Sequence, residues 1–101
     1  MMKTTFKEEN NNYVFAFEGR LDTAASSQTE KEMKVLEDCE GHDIILDCTN
    51  LEYISSSGLR LFLALFKKAR VKNSHVYLMG MSDDIRQVFD EIGFTILFEF
   101  K

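Results

Sequence analysis

Asn50-Leu-Glu-Tyr-Ile-Ser-Ser-Ser-Gly-Leu-Arg60 is the stretch that decides the fold, because an apolar strand pattern ends in it and a helical pattern begins. Serines before a helix can cap its unpaired N–H groups. The same positive helix end would stabilise a phosphoryl group placed on one of the hydroxyls. Gly58 costs a helix about 1 kcal/mol relative to alanine, and close approach of another backbone or of a partner would explain the glycine. These residues alone leave both a cap and a switch open.

The residues before this stretch predict a β-hairpin. Residues 4–8 and 13–18 are strand segments, and the second alternates aromatic with smaller or charged side chains. Glu9-Asn-Asn-Asn12 lies between them and tolerates the left-handed backbone of a tight turn. Gly19 is predicted to end the second strand.

Three helices are predicted. The first begins at Asp22 or Thr23 and stops before Gly41, and the third runs from its cap at Ser82 to Glu91. Helical spacing places these residues of the second helix inward: Leu59, Phe62, Leu63 and Phe66. It places these residues of the third helix inward: Ile85, Val88, Phe89 and Ile92.

Three further strands alternate with these helices. Residues 44–46 form an apolar run that predicts a central strand buried on both faces and ending at Asp47. Residues 76–81 and 95–100 are the others. The predicted order is β-β-α-β-α-β-α-β in one domain, residues 1–101. The fold class is therefore α/β, with a mixed sheet that starts as a hairpin, continues through β-α-β units and is covered by helices.

Composition narrows the function. The net charge of −5 disfavours nucleic acid as a partner, since phosphate backbones require clustered cations. The one basic cluster, residues 67–72, complements the negative end of the second helix. The chain has no membrane-spanning run, and Cys39 and Cys48 lack metal-binding spacing. A cytoplasmic location follows, with Cys48 in the core and Cys39 partly exposed.

Catalysis is not predicted. A serine nucleophile requires a base, usually histidine, but His42 and His75 precede strands whereas the serines follow one. A small serine hydrolase is therefore the least favoured class. No glycine-rich phosphate loop or dinucleotide fingerprint is present, so no cofactor is expected. No metal site is predicted either, because four carboxylates are scattered along the chain: Asp22, Asp43, Asp47 and Glu52.

Three segments resemble the STAS domain family, and within it the bacterial anti-sigma factor antagonists. They are Phe17-Glu-Gly-Arg-Leu-Asp22, Ile45-Leu-Asp-Cys-Thr-Asn-Leu-Glu-Tyr-Ile54 and Ser55-Ser-Ser-Gly-Leu-Arg60. The family's usual motif is Asp-Ser-Ser-Gly or Asp-Ser-Thr-Gly, and the residue after the aspartate is phosphorylated. That position matches Ser56, with Ser57 as runner-up, while Ser55 replaces the aspartate. The family's acidic residue after the second strand matches Asp22.

The resemblance implies a regulator that binds an anti-sigma factor serine kinase when unphosphorylated and releases the sigma factor. Phosphorylation of Ser56 would switch it off, and a PP2C-type phosphatase would restore it. The alternative is a STAS scaffold or sensor subunit that works without phosphorylation. The expected partner-binding residues are Gly19, Arg20, Asp22, Thr23, Ser55, Ser56, Ser57, Gly58, Leu59 and Arg60.

Self-association is also expected from the end of the chain. Members of the family commonly carry a further helix after the last strand, which would cover the sheet edge. Without such a cover, an exposed apolar edge invites association with a second copy or a partner. The residues concerned are Ile96, Leu97, Phe98 and Phe100.

Overall fold

The computed structural model describes residues 2–101 as one α/β domain. Its five strands and three helices follow the predicted order. The strands are β1 (Met2–Glu9), β2 (Asn12–Leu21), β3 (Asp43–Ile54), β4 (Val76–Met79) and β5 (Glu99–Phe100). The helices are α1 (Thr23–Met33), α2 (Ser56–Val71) and α3 (Asp83–Glu91), with short 3₁₀ turns at Lys34–Leu36 and Phe94–Ile96. None of the helices described is both long and apolar enough to span a bilayer.

The strands form one mixed sheet in the order β1-β2-β3-β4-β5, which is also their order along the chain. β1 pairs antiparallel with β2, and all later pairs are parallel. Right-handed crossovers that always step in one direction place their helices on the same side of a sheet. The single core cluster agrees, because it joins side chains of all three helices to one face of the sheet.

The β1–β2 hairpin forms as predicted. Asn10 and Asn11 have φ values of 52° and 65°, so both occupy the left-handed region. Two such residues match the right-handed twist of the flanking strands in a two-residue turn. Asparagine tolerates this backbone better than most residues, which is why the sequence signal was reliable here.

β2 and β3 are longer than predicted. Gly19 does not end β2, because its φ of 103° lets the strand pass a register shift and continue to Leu21. Asp47 does not end β3 either. Its Oδ1 accepts hydrogen bonds from the Thr49 N–H, at 3.0 Å, and from the Thr49 hydroxyl, at 2.6 Å. These bonds satisfy local donors where the register shifts, and the strand runs on to Ile54.

The sheet is not buried on both faces at β3. Ile44 and Leu46 are fully buried against the helices, whereas Ile45 between them is half-buried on the opposite face. Side chains alternate across a strand, and the helices cover only one side. The prediction of two-sided burial was therefore wrong.

α2 presents a different stripe from the one predicted. Phe62 is fully buried, and Leu65 is buried where Leu63 was expected. Leu63 and Phe66 are only half-buried. The helix has leucine or phenylalanine on several neighbouring faces, so spacing alone did not show which face meets the sheet. The buried positions of α2 are Gly58, Leu59, Phe62, Leu65 and Ala69.

The last part of the chain is less regular than predicted. β4 ends at Met79, and β5 contains only Glu99 and Phe100, because a 3₁₀ turn occupies Phe94–Ile96. In α3, Ile85 and Phe89 are buried as expected. Ile92 is 46% exposed, since it ends that helix. Of the apolar residues expected at the edge, Phe98 is buried, Leu97 and Phe100 are half-buried and Ile96 is 87% exposed.

Both cysteines are free and buried. Cys48 lies in the core as predicted, and burial raises the pKa of its thiol to about 12, with a smaller contribution from Asp47. Cys39 is also fully buried, so the prediction of partial exposure was wrong. It follows the 3₁₀ turn, and its carbonyl accepts a hydrogen bond from the Ser74 hydroxyl at 2.7 Å. That contact holds the segment against the rest of the fold.

Candidate functional site

Helices α1 and α2 begin side by side. Residues 19–23 and 55–60, which surround the two helix N-termini, form what we call the junction. Leu21 and Ile54 are register partners at the ends of β2 and β3. The Ser55 N–H donates to the Leu21 carbonyl at 2.8 Å, one residue beyond that pair. Because neighbouring parallel strands end at the same edge of a sheet, the two helices start at that edge.

Ser55 is the N-cap of α2. It has extended backbone angles, and its Oγ accepts a hydrogen bond from the Gly58 N–H at 3.1 Å. Its carbonyl accepts the first helical bond, from the Leu59 N–H at 2.9 Å. Serine and aspartate are equally good caps. Ser55 therefore supplies the structural role that an aspartate would have at this position, without the negative charge.

Ser56 and Ser57 follow as the first two residues of α2, and their surroundings differ. Ser56 is exposed, whereas Ser57 is half-buried. Neither hydroxyl takes part in a hydrogen bond among those described for residues 2–101. Ser56 is therefore the more accessible of the two candidate acceptors.

Gly58 brings α2 close to β2. A β-carbon added at Gly58 would lie 2.8 Å from Leu21 Cγ and 2.9 Å from Ile54 Cγ1. Contacts this short require neighbouring atoms to move. The close approach at the glycine is therefore made by two buried side chains of the chain itself, where another backbone or a partner was expected.

Asp22 caps α1 in the same way. Its Oδ1 accepts from the Ala25 N–H at 2.8 Å, and its carbonyl accepts from the Ser26 hydroxyl at 2.9 Å. A carboxylate at a helix N-terminus is stabilised by the helix dipole. Asp22 directly follows Leu21, whose carbonyl accepts the Ser55 N–H, and so places a carboxylate at the same sheet edge.

The remaining predicted residues divide by exposure. Arg20, Thr23 and Arg60 are exposed, and the Arg20 guanidinium lies 4.4 Å from the centre of the Tyr53 ring. Gly19 and Leu59 are buried, as is Gly58. These three residues shape the junction rather than present side chains on its surface.

Tyr53 was missed by sequence reasoning. It is 40% exposed and pairs with Arg20 in the strand register. Strict alternation would have placed Tyr53 on the same face as Leu51, which is buried. The register shift between Gly19 and Arg20 adds one residue to β3 and turns Tyr53 outward, so the sequence carried no signal for its exposure.

The histidines lie at the opposite edge of the sheet from the serines, as predicted. His42 directly precedes β3, and its Nδ1 is 2.9 Å from the Asn11 carbonyl oxygen. His75 directly precedes β4, and its Nδ1 is 3.1 Å from a carboxylate oxygen of Glu99. Within residues 2–101, no group of three or more His, Cys, Asp or Glu side chains could hold a metal ion. The exposed side chains of the junction offer hydroxyls and cations for binding.

The fold and the junction define a small α/β domain with two capped helix N-termini at one sheet edge, and the chain belongs to the STAS domain family. The family model matches residues 3–101. The chain is similar to the anti-sigma-B factor antagonist of Listeria monocytogenes, with 28% identity over 96 residues that cover 94% of this chain and 84% of the relative.

Solved structures show the same fold. An anti-sigma-factor antagonist (STAS) domain protein from Planctomyces limnophilus has a TM-score of 0.89 and 15% identity, over 96% of this chain and 87% of the other. The Bacillus cell fate determinant SpoIIAA in its phosphorylated form has a TM-score of 0.74 and 20% identity, over 98% of this chain and 91% of the other. At these identities the likeness concerns the fold alone.

Proposed function

We propose that this chain is an anti-sigma factor antagonist, a binding module without catalytic activity. In its unphosphorylated state it docks onto an anti-sigma factor serine kinase and thereby frees a sigma factor. Phosphorylation of Ser56 by that kinase prevents docking, and a PP2C-type phosphatase reverses the modification. The similarity to the Listeria antagonist supports the class of partner.

The observation that carries the proposal is that two adjacent serines differ in exposure and hydrogen bonding. Ser55 is 7% exposed and caps α2, so its oxygen is engaged in the fold. Ser56 is exposed and takes no part in that cap. A kinase can therefore modify Ser56 while the helix stays capped. SpoIIAA, which has the same fold, has been solved in a phosphorylated form, so for that protein the fold accommodates a phosphate.

The physical effect of the phosphate would be on binding more than on folding. A phosphoryl group adds close to two negative charges, and at the start of a helix those charges are favourable. On docking, the same charges must be desolvated, which costs several kcal/mol unless the partner supplies cations. A difference of about 1.4 kcal/mol already changes affinity tenfold.

The test uses two substitutions of Ser56. Ser56→Asp should retain the circular dichroism and melting temperature of the wild type but lose affinity for the anti-sigma kinase of the source organism. Ser56→Ala should bind and accept no phosphate. With kinase and ATP, the wild type should gain one phosphate, located at Ser56 by mass spectrometry.

Ser57→Ala is the matched control, since it removes the neighbouring hydroxyl and leaves Ser56 intact. It should still be phosphorylated. A phosphate located at Ser57 in the wild type would transfer the switch to that residue.

The second candidate is a STAS scaffold or sensor subunit that assembles without phosphorylation. The observation in its favour is Ser55, because the motif lacks the aspartate charge beside the acceptor. In that case the chain would bind its partner equally well as wild type and as Ser56→Asp, and no kinase of the source organism would modify it.

A further inference from the structure

An exposed cation–aromatic pair lies directly beside the junction. Tyr53 and Arg20 face each other in the register of β3 and β2, one pair before Leu21 and Ile54. The Arg20 guanidinium lies 4.4 Å from the centre of the Tyr53 ring. The tyrosine is 40% exposed although it belongs to a long strand in the middle of the sheet.

Two features leave Tyr53 exposed: it lies on the sheet face that the helices do not cover, and β3 extends beyond its neighbour β4 at this position. β4 pairs with β3 only from Ile44 to Asp47, whereas β2 pairs with β3 as far as Ile54. The last part of β3 therefore has β2 on one side and no ladder to β4 on the other. Among the aromatic contacts described for residues 2–101, the one made by Tyr53 is with Arg20.

The pair contributes little to the fold itself. Cation–π contacts are weak at exposed sites, and they strengthen when they are desolvated. Tyrosine and arginine are also among the residues most enriched in binding hot spots. A guanidinium already held over a ring loses less conformational freedom on binding than a free side chain does.

We propose that Arg20 and Tyr53 form an anchor for the same anti-sigma kinase whose docking Ser56 controls, and that this anchor does not depend on phosphorylation. The inference rests on the proposed function. The fitting partner surface has an apolar pocket for the tyrosine ring beside a carboxylate or backbone carbonyl for the guanidinium. The anchor and the switch are then separate parts of one interface, since Tyr53 precedes Ser56 by three residues at the same sheet edge.

The experiment measures binding of the unphosphorylated protein to the purified anti-sigma kinase by calorimetry. Tyr53→Ala should weaken binding by about tenfold or more and leave the circular dichroism and melting temperature close to those of the wild type. Phe6→Ala is the matched control, because Phe6 is 41% exposed in β1 and lies outside the junction. It should bind within about twofold of the wild type.

A second variant guards against a fold defect in Tyr53→Ala. Arg20→Gln leaves the ring in place and removes the cation, and it should also weaken binding. In a double-mutant cycle the two losses should be less than additive, since each substitution removes part of one contact.

The kinetics of Ser56 phosphorylation test independently whether the anchor contributes to docking. For phosphorylation of Ser56, the KM for Tyr53→Ala should rise while kcat stays near the wild-type value, because docking is weakened and the acceptor is unchanged.

The outcomes separate the two proposals. If the wild type does not bind the kinase, the proposed function fails and the anchor with it. If the wild type binds and both Tyr53→Ala and Arg20→Gln bind within twofold of it, the anchor is refuted while the proposed function stands. A loss in Phe6→Ala equal to that in Tyr53→Ala also refutes the anchor, since the effect would not be specific to this edge.

Discussion

Gly58 sets the distance between α2 and β2, and this gives the first prediction. Gly58→Ala should gain up to about 1 kcal/mol in helix propensity but force Leu21 and Ile54 apart, since the new β-carbon would lie under 3.0 Å from both. Overpacking of this kind costs about 1–3 kcal/mol. We expect a net loss of stability in urea unfolding. Ser56→Ala, at an exposed position nearby, should change stability by less than about 0.5 kcal/mol. Equal stabilities for the two variants would contradict the packing described.

At this scale the sequence was informative where a residue's role is local. A serine cap at the start of α2 and the asparagine turn depend on side chains bonding or bending their own backbone. Both were predictable, although the sequence did not show which of the three serines is the cap. The role of Gly58 was only half predictable. The sequence indicates that other atoms lie close to the glycine, but it does not show that they belong to Leu21 and Ile54. Cys39 is buried where its carbonyl accepts a hydrogen bond from Ser74, 35 residues away, and no local signal marked this burial.

Helix α2 provides the prediction at the scale of the element. Phe62 is fully buried and contacts the rings of Phe17 and Phe89, with centroid distances of 5.1 and 5.8 Å. Phe66, one turn later, is half-buried and contacts Phe98 at 5.3 Å. Phe62→Ala should cost about 3–5 kcal/mol in the free energy of unfolding, and Phe66→Ala clearly less. Denaturant unfolding of both variants checks this, and a larger loss for Phe66→Ala would mean that the helix is rotated about its axis.

The errors in the predicted elements have a common physical cause. Strand ends were placed at Gly19 and Asp47, where local propensity disfavours strands. In the structure, ladder pairing between β2 and β3 continues past both residues through register shifts. Tertiary pairing outweighed propensity, and the exposed position of Tyr53 could not be inferred without it.

At the scale of the whole molecule, the free energy of unfolding should depend on pH in the alkaline range because of Cys48. The thiol pKa is 9.0 without burial and about 12 in the fold. Between these values the unfolded chain releases a proton that the folded chain retains. Stability is therefore unaffected by this group below pH 9 and falls as pH rises above it, with a slope approaching about 1.4 kcal/mol per pH unit.

Urea unfolding at pH 8, 9 and 10 tests this dependence. The wild type should lose stability with pH more steeply than Cys48→Ala, which keeps Cys39 and all other titrating groups. The native thiol should also resist labelling at pH 8, because the protonated form is a poor nucleophile. Parallel pH profiles for the two proteins would show that Cys48 ionises freely in the fold.

The predicted order of strands and helices was right for the whole chain because hydrophobic periodicity and turn residues mark each element locally. The order of the strands in the sheet is also their order along the chain, and this has a consequence for synthesis on the ribosome. Each strand that emerges pairs with the strand made just before it, so no segment must wait for a distant partner to be translated. A nascent chain that has left the ribosome up to Met79 already contains four of the five strands, each with its final neighbour among them. The domain can thus assemble from its amino end as it is made.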